Sequence, residues 1–532
     1  MFRAALLASL TASATASISC SGYEDCTTCT SQSHLLGEPS DDANSTLSTT
    51  LFGCRWCPQD NSCHKDGSLF NPCSSSESVS YFDVCPVPPE DYPGVPDFLP
   101  DWMANLMPVI SDLTLLDLSL PGTHDTLTYD LSTTVSDAGI DDYDELSKIL
   151  HLFSGLIPGQ IEDFIRQQAK TQALSITQQL DNGVRFLDFR NMQESSGDWY
   201  SLHCLQSNNP SLTYLKEIRA WMDLHPSEIV VMWVSKHGDQ NAVGDNAYPG
   251  VSAEDKQAYF AQLLDVFSGL VIDTAVSQPN STSVSDLIAR NHRLVPYVSD
   301  YAEFTGGSQY AMDGALVDNN LGSSVDGEED AYNSEMAMFG SMKDLRAADK
   351  ARNALYLRSM ATSSPDFQVE AVAMMKFDPL ANSDEQTAKC AQGFNIPSLT
   401  SWCPPTLNDI GQMAAYYKQL SLEEAYQKID TDGWVFPNAF YIDALDYDGT
   451  IRSGSTLLNG LVREGGVEGK EKTRYAYADT VVGANVKLAC RDRGEADADC
   501  AALTELVEAR RAKYPAERWD DLKYGRSADW PV

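Results

Sequence analysis

His225-Pro-Ser-Glu-Ile-Val-Val-Met-Trp-Val-Ser-Lys236 is the stretch that decides the fold. Its short apolar run, Ile229 to Ser235, sits between two longer amphipathic stretches, Leu212 to Leu224 and Asp255 to Phe267. Short apolar runs alternating with long amphipathic ones are the pattern of strands joined by helices in a parallel sheet. The alternation continues in both directions. Leu113 to Leu120, Val184 to Phe189, Trp199 to Leu202, Leu294 to Val298, Ala371 to Phe377 and Ala439 to Ala444 read as further strands, and Leu407 to Ile429 as a further helix. So many strands, spread over about 350 residues, fit a closed barrel better than an open sheet. The expected fold class is α/β, a TIM-like (β/α) barrel.

Polar side chains collect where these strands end. Pro121-Gly-Thr-His124-Asp125 follows the first strand, Asp188 and Arg190 end the second, His203 ends the third and Lys236 the fourth. In a parallel barrel the carboxyl rim is where functional side chains converge, because the loops there are free of packing duties. A lone histidine near a strand end is more often structural. Two of them with Asp, Arg and Lys on one rim are hard to obtain from core packing. The set suits cleavage of a phosphodiester by an internal hydroxyl. One neutral imidazole takes the proton of the attacking hydroxyl, and a second, protonated, gives one to the departing oxygen. A carboxylate beside the acid raises its pKa and fixes its tautomer, and a guanidinium binds phosphate oxygens bidentately. Asp125 and Arg190 are available for those tasks. Other polar residues read more plainly. His225, before Pro226, is expected to cap a helix. His237 neighbours Lys236 where the chain turns. Ser119 and Ser235 lack a nucleophile elbow, and Asp446-Tyr-Asp-Gly449 lacks the remaining ligands of a calcium loop.

Three blocks, Leu120-Pro-Gly-Thr-His-Asp-Thr126, Gly183-Val-Arg-Phe-Leu-Asp-Phe-Arg190 and His225 to Lys236, resemble the X region of bacterial-type phosphatidylinositol-specific phospholipases C in order and spacing. With His203 between the second and third, the resemblance spans about 125 residues of a barrel phosphodiesterase. It implies that His124 is the general base toward the inositol 2-hydroxyl and His203 the general acid toward the diacylglycerol oxygen. It implies further that Asp125 orients His203, that Arg190 binds phosphate, and that Asp188 and Lys236 hold the inositol or set the local field. The family's late aspartate, which supports the base, should lie in Tyr441-Ile-Asp443-Ala-Leu-Asp446, with Asp443 the first choice and Asp446 the second. Calcium-dependent relatives carry acidic ligands where this chain has Asp188 and Arg190, and a cation does not bind beside a guanidinium. No cofactor and no metal are therefore expected. The partner expected is an inositol phospholipid or a glycan-linked (GPI-type) lipid, met by transient contact with a membrane surface.

Composition bounds the partners. With 76 acidic against 37 basic side chains, the formal charge is -39. Nucleic acid is thereby disfavoured, since phosphate backbones are bound through clustered Lys and Arg. Electrostatic docking on anionic membranes is disfavoured for the same reason, leaving apolar side chains or a local basic pocket for lipid contact.

The flanks suggest a secreted chain. Residues 1–16 read as a signal peptide, with Arg3, an apolar stretch and Ala14-Thr15-Ala16. Residues 17–86 hold eight of the 13 cysteines and, through Cys26/Cys29, Cys54-Arg-Trp56-Cys57, Cys63, Cys73 and Cys85, resemble a plexin-semaphorin-integrin module. Zinc is the competing use of those pairs. A proline-rich linker follows at 87–100, then the catalytic domain at 101–461 and a charged extension at 462–532, in which Ala501 to Lys513 reads as an amphipathic helix. Cys390/Cys403 and Cys490/Cys500 are expected local bridges, Cys204 is the odd thiol, and Asn44 and Asn280 head glycosylation sequons. Two other functions fit the same residues. One is a secreted binding or adhesion protein with a catalytically idle barrel. The other is a phosphodiesterase acting on glycerophosphodiesters or sphingolipid phosphates.

Overall fold

The computed structural model describes residues 29, 54–57, 62–65, 98–136, 166, 169–172, 174–203, 205–235, 251–320, 328–360, 421–443, 445, 477–491, 493 and 497–511. Residues 1–16, the Asn44 sequon, Cys204, Lys236, His237, the expected strand at Ala371 to Phe377, Cys390/Cys403 and Asp446 lie outside the described residues.

In the cysteine-rich segment, β1 (Cys54–Cys57) and β2 (Ser62–Lys65) form an antiparallel hairpin, and Cys29 is bonded to Cys63. Cys57 is disulfide-bonded as well, so these thiols are used as bridges.

The larger sheet is built on parallel strands. They are β3 (Gly122–Thr123), β5 (Phe186–Gln193), β8 (Val230–Ser235), β9 (Leu294–Val298), β10 (Met312–Asp313), β11 (Val317–Asn320), β12 (Leu355–Met360) and β13 (Ala439–Ile442). Their order is β10-β9-β8-β5-β3-β13-β12-β11, with each neighbouring pair parallel. The two ends of that path are successive pieces of chain, separated only by the 3-10 turn Gly314–Leu316. The sheet therefore comes round on itself as a TIM-like barrel. Alternation along the strands sorts the faces. Phe186, Val231, Val295 and Leu357 share one apolar cluster with Leu120 and Ala439. Leu187, Phe189, Val230, Met232 and Leu294 turn the other way, onto the helices Ser211–Leu224 and Ala253–Val266.

Two expectations about strands are corrected. Leu113 to Leu120 is not a strand: Thr114 and Asp117 make a reciprocal cap for a 3-10 turn, Leu115–Asp117, and the chain joins the barrel only through Leu120 and β3. Trp199 to Leu202 is a strand, β6 (Trp199–His203), but it runs antiparallel to β5 and then to β7 (Leu205–Pro210). The five residues between Gln193 and Trp199 suffice for a hairpin turn, with Gly197 at φ 90°, and not for a parallel crossover. A third strand, β4 (Leu131–Val135), pairs with β7. His203 thus reaches the rim from a β-ribbon laid over the barrel, not from a barrel strand.

The opposite end is sealed by helices. Tyr477 through Val486 of the helix Tyr477–Cys490 are all buried, and Asn485 pairs with both backbone groups of Ser119, at 2.7 and 2.8 Å. The bridge Cys490–Cys500 ties this helix to the next, Ala498–Arg511. Two charged residues of the sequence blocks also serve here. Arg185 and Glu228, both 0% exposed, meet at 2.6 Å, and Glu228 accepts the N–H groups of Met103 and Ala104 at the start of the helix Trp102–Ile110. A carboxylate at a helix N-terminus satisfies donors that the helix cannot, and the paired charge offsets its burial.

Gly122 is where the barrel is tightest. A Cβ there would stand 2.2 Å from the carbonyl oxygen of Phe440 and 2.8 Å from that of Phe186, backbone on both sides. Gly122→Ala is expected to lower unfolding stability by about 3 kcal/mol or more. Chemical denaturation checks this, and a change within about 0.5 kcal/mol, the scale of a neutral substitution, would contradict the packing described.

Candidate active site

His124 follows β3, a two-residue barrel strand, and its position is fixed by the strand on each side. Its N–H donates to the carbonyl oxygen of Ile442 at the end of β13, and the N–H of Thr126 donates to the carbonyl oxygen of Asp188 in β5. Between them Asp125 takes a left-handed backbone, φ 45°, a region that Asp and Asn enter more readily than other residues with a side chain, and the site holds it there. The enforcing contact is the Asp125 N–H donating to Asp188 Oδ2 at 3.0 Å.

The side chains then converge. His124 Nδ1 lies 2.7 Å from Asp443 Oδ1; the carboxylate can only accept, so Nδ1 carries the proton and Nε2 faces the site. Arg190 donates from Nη2 to His124 Nε2 at 2.8 Å, pairs through Nη1 with Asp125 Oδ1 at 2.6 Å, and pairs through Nη2 with Asp188 Oδ2 at 3.0 Å. His203 Nδ1 donates to the carbonyl oxygen of Ala169 at 2.5 Å, which turns its Nε2 inward, 3.4 Å from Asp125 Oδ2. His124 Nε2 is 3.3 Å from that same oxygen. One carboxylate oxygen is shared by both imidazoles, whose ring centroids are 6.4 Å apart. Both rings stay partly open to solvent, at 14% and 22% exposure, above carboxylates that are closed off.

Six of the seven residues singled out from sequence can be located, and they meet: His124, Asp125, Asp188, Arg190, His203 and Asp443. Lys236 lies outside the described residues. Asp188 is 1% exposed and its Oδ2 holds Arg190 and the Asp125 backbone, so its contact with the site runs through the guanidinium. His225 stands apart, closing the helix Ser211–Leu224, stacked on Trp221 and paired with Asp101. Asn280, the second sequon, is part-buried with its amide nitrogen donating to the Lys350 carbonyl.

Sequence reasoning missed Tyr441 and the segment 169–172. Tyr441 stacks on His124, centroids 4.9 Å apart and planes at 15°. It lies two residues before Asp443 on β13, so strand periodicity could have placed the two on one face. Thr171 Oγ1 and Gln172 Nε2 both donate to the His124 carbonyl at 3.0 Å. Nothing in composition or spacing marks those two residues.

The field is uneven. Burial pushes the His124 pKa down, but the charges of Asp125 and Asp443 outweigh it and hold the ring above the usual imidazole value. Burial pushes His203 down too, and there Arg190 and His124 assist, so despite Asp125 it stays below the usual value. Burial works against the Arg190 charge, yet Asp125 and Asp188 more than restore it. Burial, with Asp188 adding, lifts the Tyr441 hydroxyl to about 12. Ligand atoms of His124, Asp125 and Asp188 lie within 4.8 Å of one another, the spacing of a cation site. All three already face the Arg190 guanidinium, and a divalent ion beside that fixed charge would be repelled.

Residues 163–313 match the family model described as PI-PLC X 1. That range holds Asp188, Arg190 and His203; His124, Asp125 and Asp443 lie outside it and are joined to it by the fold. The mouse (Mus musculus) PI-PLC X domain-containing protein 1 is 36% identical over 137 residues, 25% of this chain and 38% of that protein. The human (Homo sapiens) protein of the same name is 34% identical over 135 residues, 25% of this chain and 40% of its own length. The chain thus spans about two fifths of the length of these curated relatives. Among solved structures, a phosphatidylinositol-specific phospholipase C from Staphylococcus aureus is 12% identical, with a TM-score of 0.42, covering 69% of this chain and 98% of that one. One from Listeria monocytogenes is 17% identical, with a TM-score of 0.32, covering 56% and 92%. Residues 163–313 are thus similar to a PI-PLC X region, and the barrel architecture is read from the chain's own strand order.

The imidazole field is directly measurable. Removing the charge of Asp443 takes away part of what raises His124, so Asp443→Asn should lower the His124 pKa. The imidazole resonances of histidine-labelled protein, followed by NMR against pH, report it. An unchanged His124 titration would show that the 2.7 Å pair does not set that ring's proton affinity.

Proposed function

We propose that this protein is a phosphodiesterase that cleaves phosphatidylinositol-type lipids to diacylglycerol and a cyclic inositol phosphate, by attack of the inositol 2-hydroxyl on its own phosphorus. The observation that carries the proposal is the shared Asp125 oxygen, with an imidazole Nε2 on either side and the Arg190 guanidinium against the same carboxylate. The match of residues 163–313 to PI-PLC X supports it, as do relatives whose names carry that domain.

In this reading His124 Nε2 accepts the hydroxyl proton, and Asp443 on Nδ1 stabilises the charge that the ring gains. Arg190 binds the non-bridging phosphate oxygens as their charge grows toward the transition state. His203 delivers its Nε2 proton to the departing glycerol oxygen, with Nδ1 held by the Ala169 carbonyl. Asp188 keeps the guanidinium in place. The bond from phosphorus to the glycerol oxygen breaks as that from phosphorus to the 2-oxygen forms. Before the next cycle His124 releases the proton it gained to solvent and His203 takes one up, which restores the starting state of the pair.

The free-site pKa directions are the reverse of these roles: the base is held high and the acid low. The working form has one proton on the pair, resting on His203. In the empty site the field of Asp125 and Asp443 favours a proton on His124, and taking it up requires Nε2 to give up the bond it accepts from Arg190. An anionic phosphodiester entering between Arg190 and His203 raises the latter, and so moves the proton to where departure needs it. The kcat/KM profile is therefore expected to be bell-shaped. It rises through an apparent pKa below the usual imidazole value and falls through one above it, both belonging to the pair. The alkaline limb of kcat should lie higher than that of kcat/KM. A profile with a single limb over the range where imidazoles titrate would contradict the two-histidine mechanism.

Substitution and product analysis test the reaction. His124→Ala and His203→Ala should each cost on the order of a hundred- to ten-thousand-fold in kcat, whereas His225→Ala should affect stability alone. Phosphorus NMR of phosphatidylinositol incubated with the enzyme and a chelator should show the cyclic ester. Saturable lipid binding without turnover would replace the enzyme with a binding protein. Turnover abolished by the chelator would overturn the part given to Arg190.

A further inference from the structure

Residues 169–172 touch both histidines, His203 at its ring and His124 at its backbone carbonyl. The Ala169 carbonyl takes the Nδ1 proton of His203, and the Thr171 hydroxyl donates to the His124 carbonyl. Gln172 goes further. Its Nε2 donates to the carbonyl oxygens of His124, at 3.0 Å, and of Ile442, at 2.7 Å, while its Oε1 accepts the N–H of Leu445 at 3.3 Å. A carboxamide offers two donors from one nitrogen, and here the two go to different strands: one to the end of β3, where His124 sits, and one to the residue before Asp443 on β13. The carboxamide is therefore a staple across the seam that brings the 2.7 Å contact of His124 with Asp443 together. Gln172 is fully buried, and its own N–H and that of Thr171 both donate to Thr128 Oγ1 at 3.1 Å, so the staple cannot swing away. Thr128 in turn donates to the Asp125 carbonyl at 2.9 Å.

We propose that residues 169–172 form a positioning strap for the two imidazoles, with Gln172 as the positioning residue that holds His124 and Asp443 in register. The assignment of His124 as base rests on the function proposed above; the strap's effect on the ring's proton affinity does not. Besides Asp443, the groups facing that ring are Asp125, Arg190, His203 and the stacked Tyr441, and the bonds of the Gln172 carboxamide run to backbone groups of His124, Ile442 and Leu445. Loosening the staple therefore acts on His124 chiefly through Asp443, whose charge and hydrogen bond raise the ring's pKa.

The test is Gln172→Ala compared with Gln178→Ala in the full chain. Gln178 accepts the Ser175 N–H in the cap of the next helix, Ile176–Asp181, and touches neither imidazole. In Gln172→Ala the His124 carbonyl keeps the Thr171 donor and the Ile442 carbonyl keeps the His124 N–H, so no buried acceptor is orphaned. Its His124 resonance should titrate at lower pH than in the wild type, and kcat should fall roughly ten- to a hundred-fold with KM held within about two-fold. Gln178→Ala should lose some thermal stability and leave both the titration and kcat unchanged. Should Gln172→Ala fail to fold, Thr171→Ala, which removes a single donor, should shift the titration in the same direction by less. A His124 titration unmoved in Gln172→Ala, or in Thr171→Ala if that variant has to stand in, overturns the strap. So does an equal shift in Gln178→Ala. If the wild type turns over no inositol lipid, the proposed function fails, and the titration still decides the strap.

Discussion

Everything at the mouth of the barrel depends on a guanidinium held between two buried carboxylates. Arg190 contacts Asp125 and Asp188 at 2.6 and 3.0 Å, and neither carboxylate is more than 2% exposed. Removing one partner from such a group leaves an uncompensated buried charge, which costs about 3–5 kcal/mol. The same contacts explain the backbone. Asp125 can present one oxygen to Arg190 and the other to both histidines only with its chain turned left-handed, a strain of about 1–3 kcal/mol that the N–H bond to Asp188 helps to offset. Asp188 and Arg190, two residues apart on β5, point to the same side because strand side chains alternate.

Around this pair the barrel acts as a clamp with its two halves far apart in sequence. His124 and Asp443 are separated by 319 positions, yet β3 and β13 are hydrogen-bonded neighbours, through Thr123 and Ile442. The closeness of that pairing rests on small things: a glycine whose missing Cβ lets three strands approach, and Tyr477, whose hydroxyl accepts the Gly122 N–H at 2.9 Å from a helix near the end of the chain. The contact of Tyr477 with Gly122 thus lies only two residues from His124 along the chain.

This explains what could be read in advance. The strands at Ile229 to Ser235 and Leu294 to Val298 were legible because they are continuous apolar runs, as strands covered on both faces must be. The strand Leu355–Met360 was not, since Arg358 interrupts its run; the structure buries that residue against Glu335 at 2.8 Å, a pairing no local pattern reveals. Leu113 to Leu120 looked like a strand on apolar content alone, while the cap from Thr114 to Asp117 decided otherwise. Of the site, the residues carried by the sequence blocks were legible together with Asp443, but the β-ribbon that brings His203 over the rim was read as another barrel strand. Thr171 and Gln172 were invisible because they act on backbone carbonyls, which carry no sequence signature, whereas Tyr441 could be placed only through its spacing to Asp443.

The charge of the chain sharpens the question of how such a site admits a phosphate. The formal charge is -39, and the pocket itself gathers Asp125, Asp188 and Asp443 around the single guanidinium of Arg190. Counting those four groups alone, the pocket is negative, and an anionic diester would be repelled. A proton on the histidine pair reduces that excess and supplies a second donor. Asp125 is placed to stabilise the proton on either ring, since one oxygen lies 3.3 Å from the first Nε2 and 3.4 Å from the other. In the proposed reading, diester binding and proton uptake are one linked equilibrium: a bound diester raises the proton affinity of the pair, and a proton on the pair raises the affinity for the diester by the same factor. In that reading the carboxylates that look misplaced beside an anionic diester are what favour a proton on the pair.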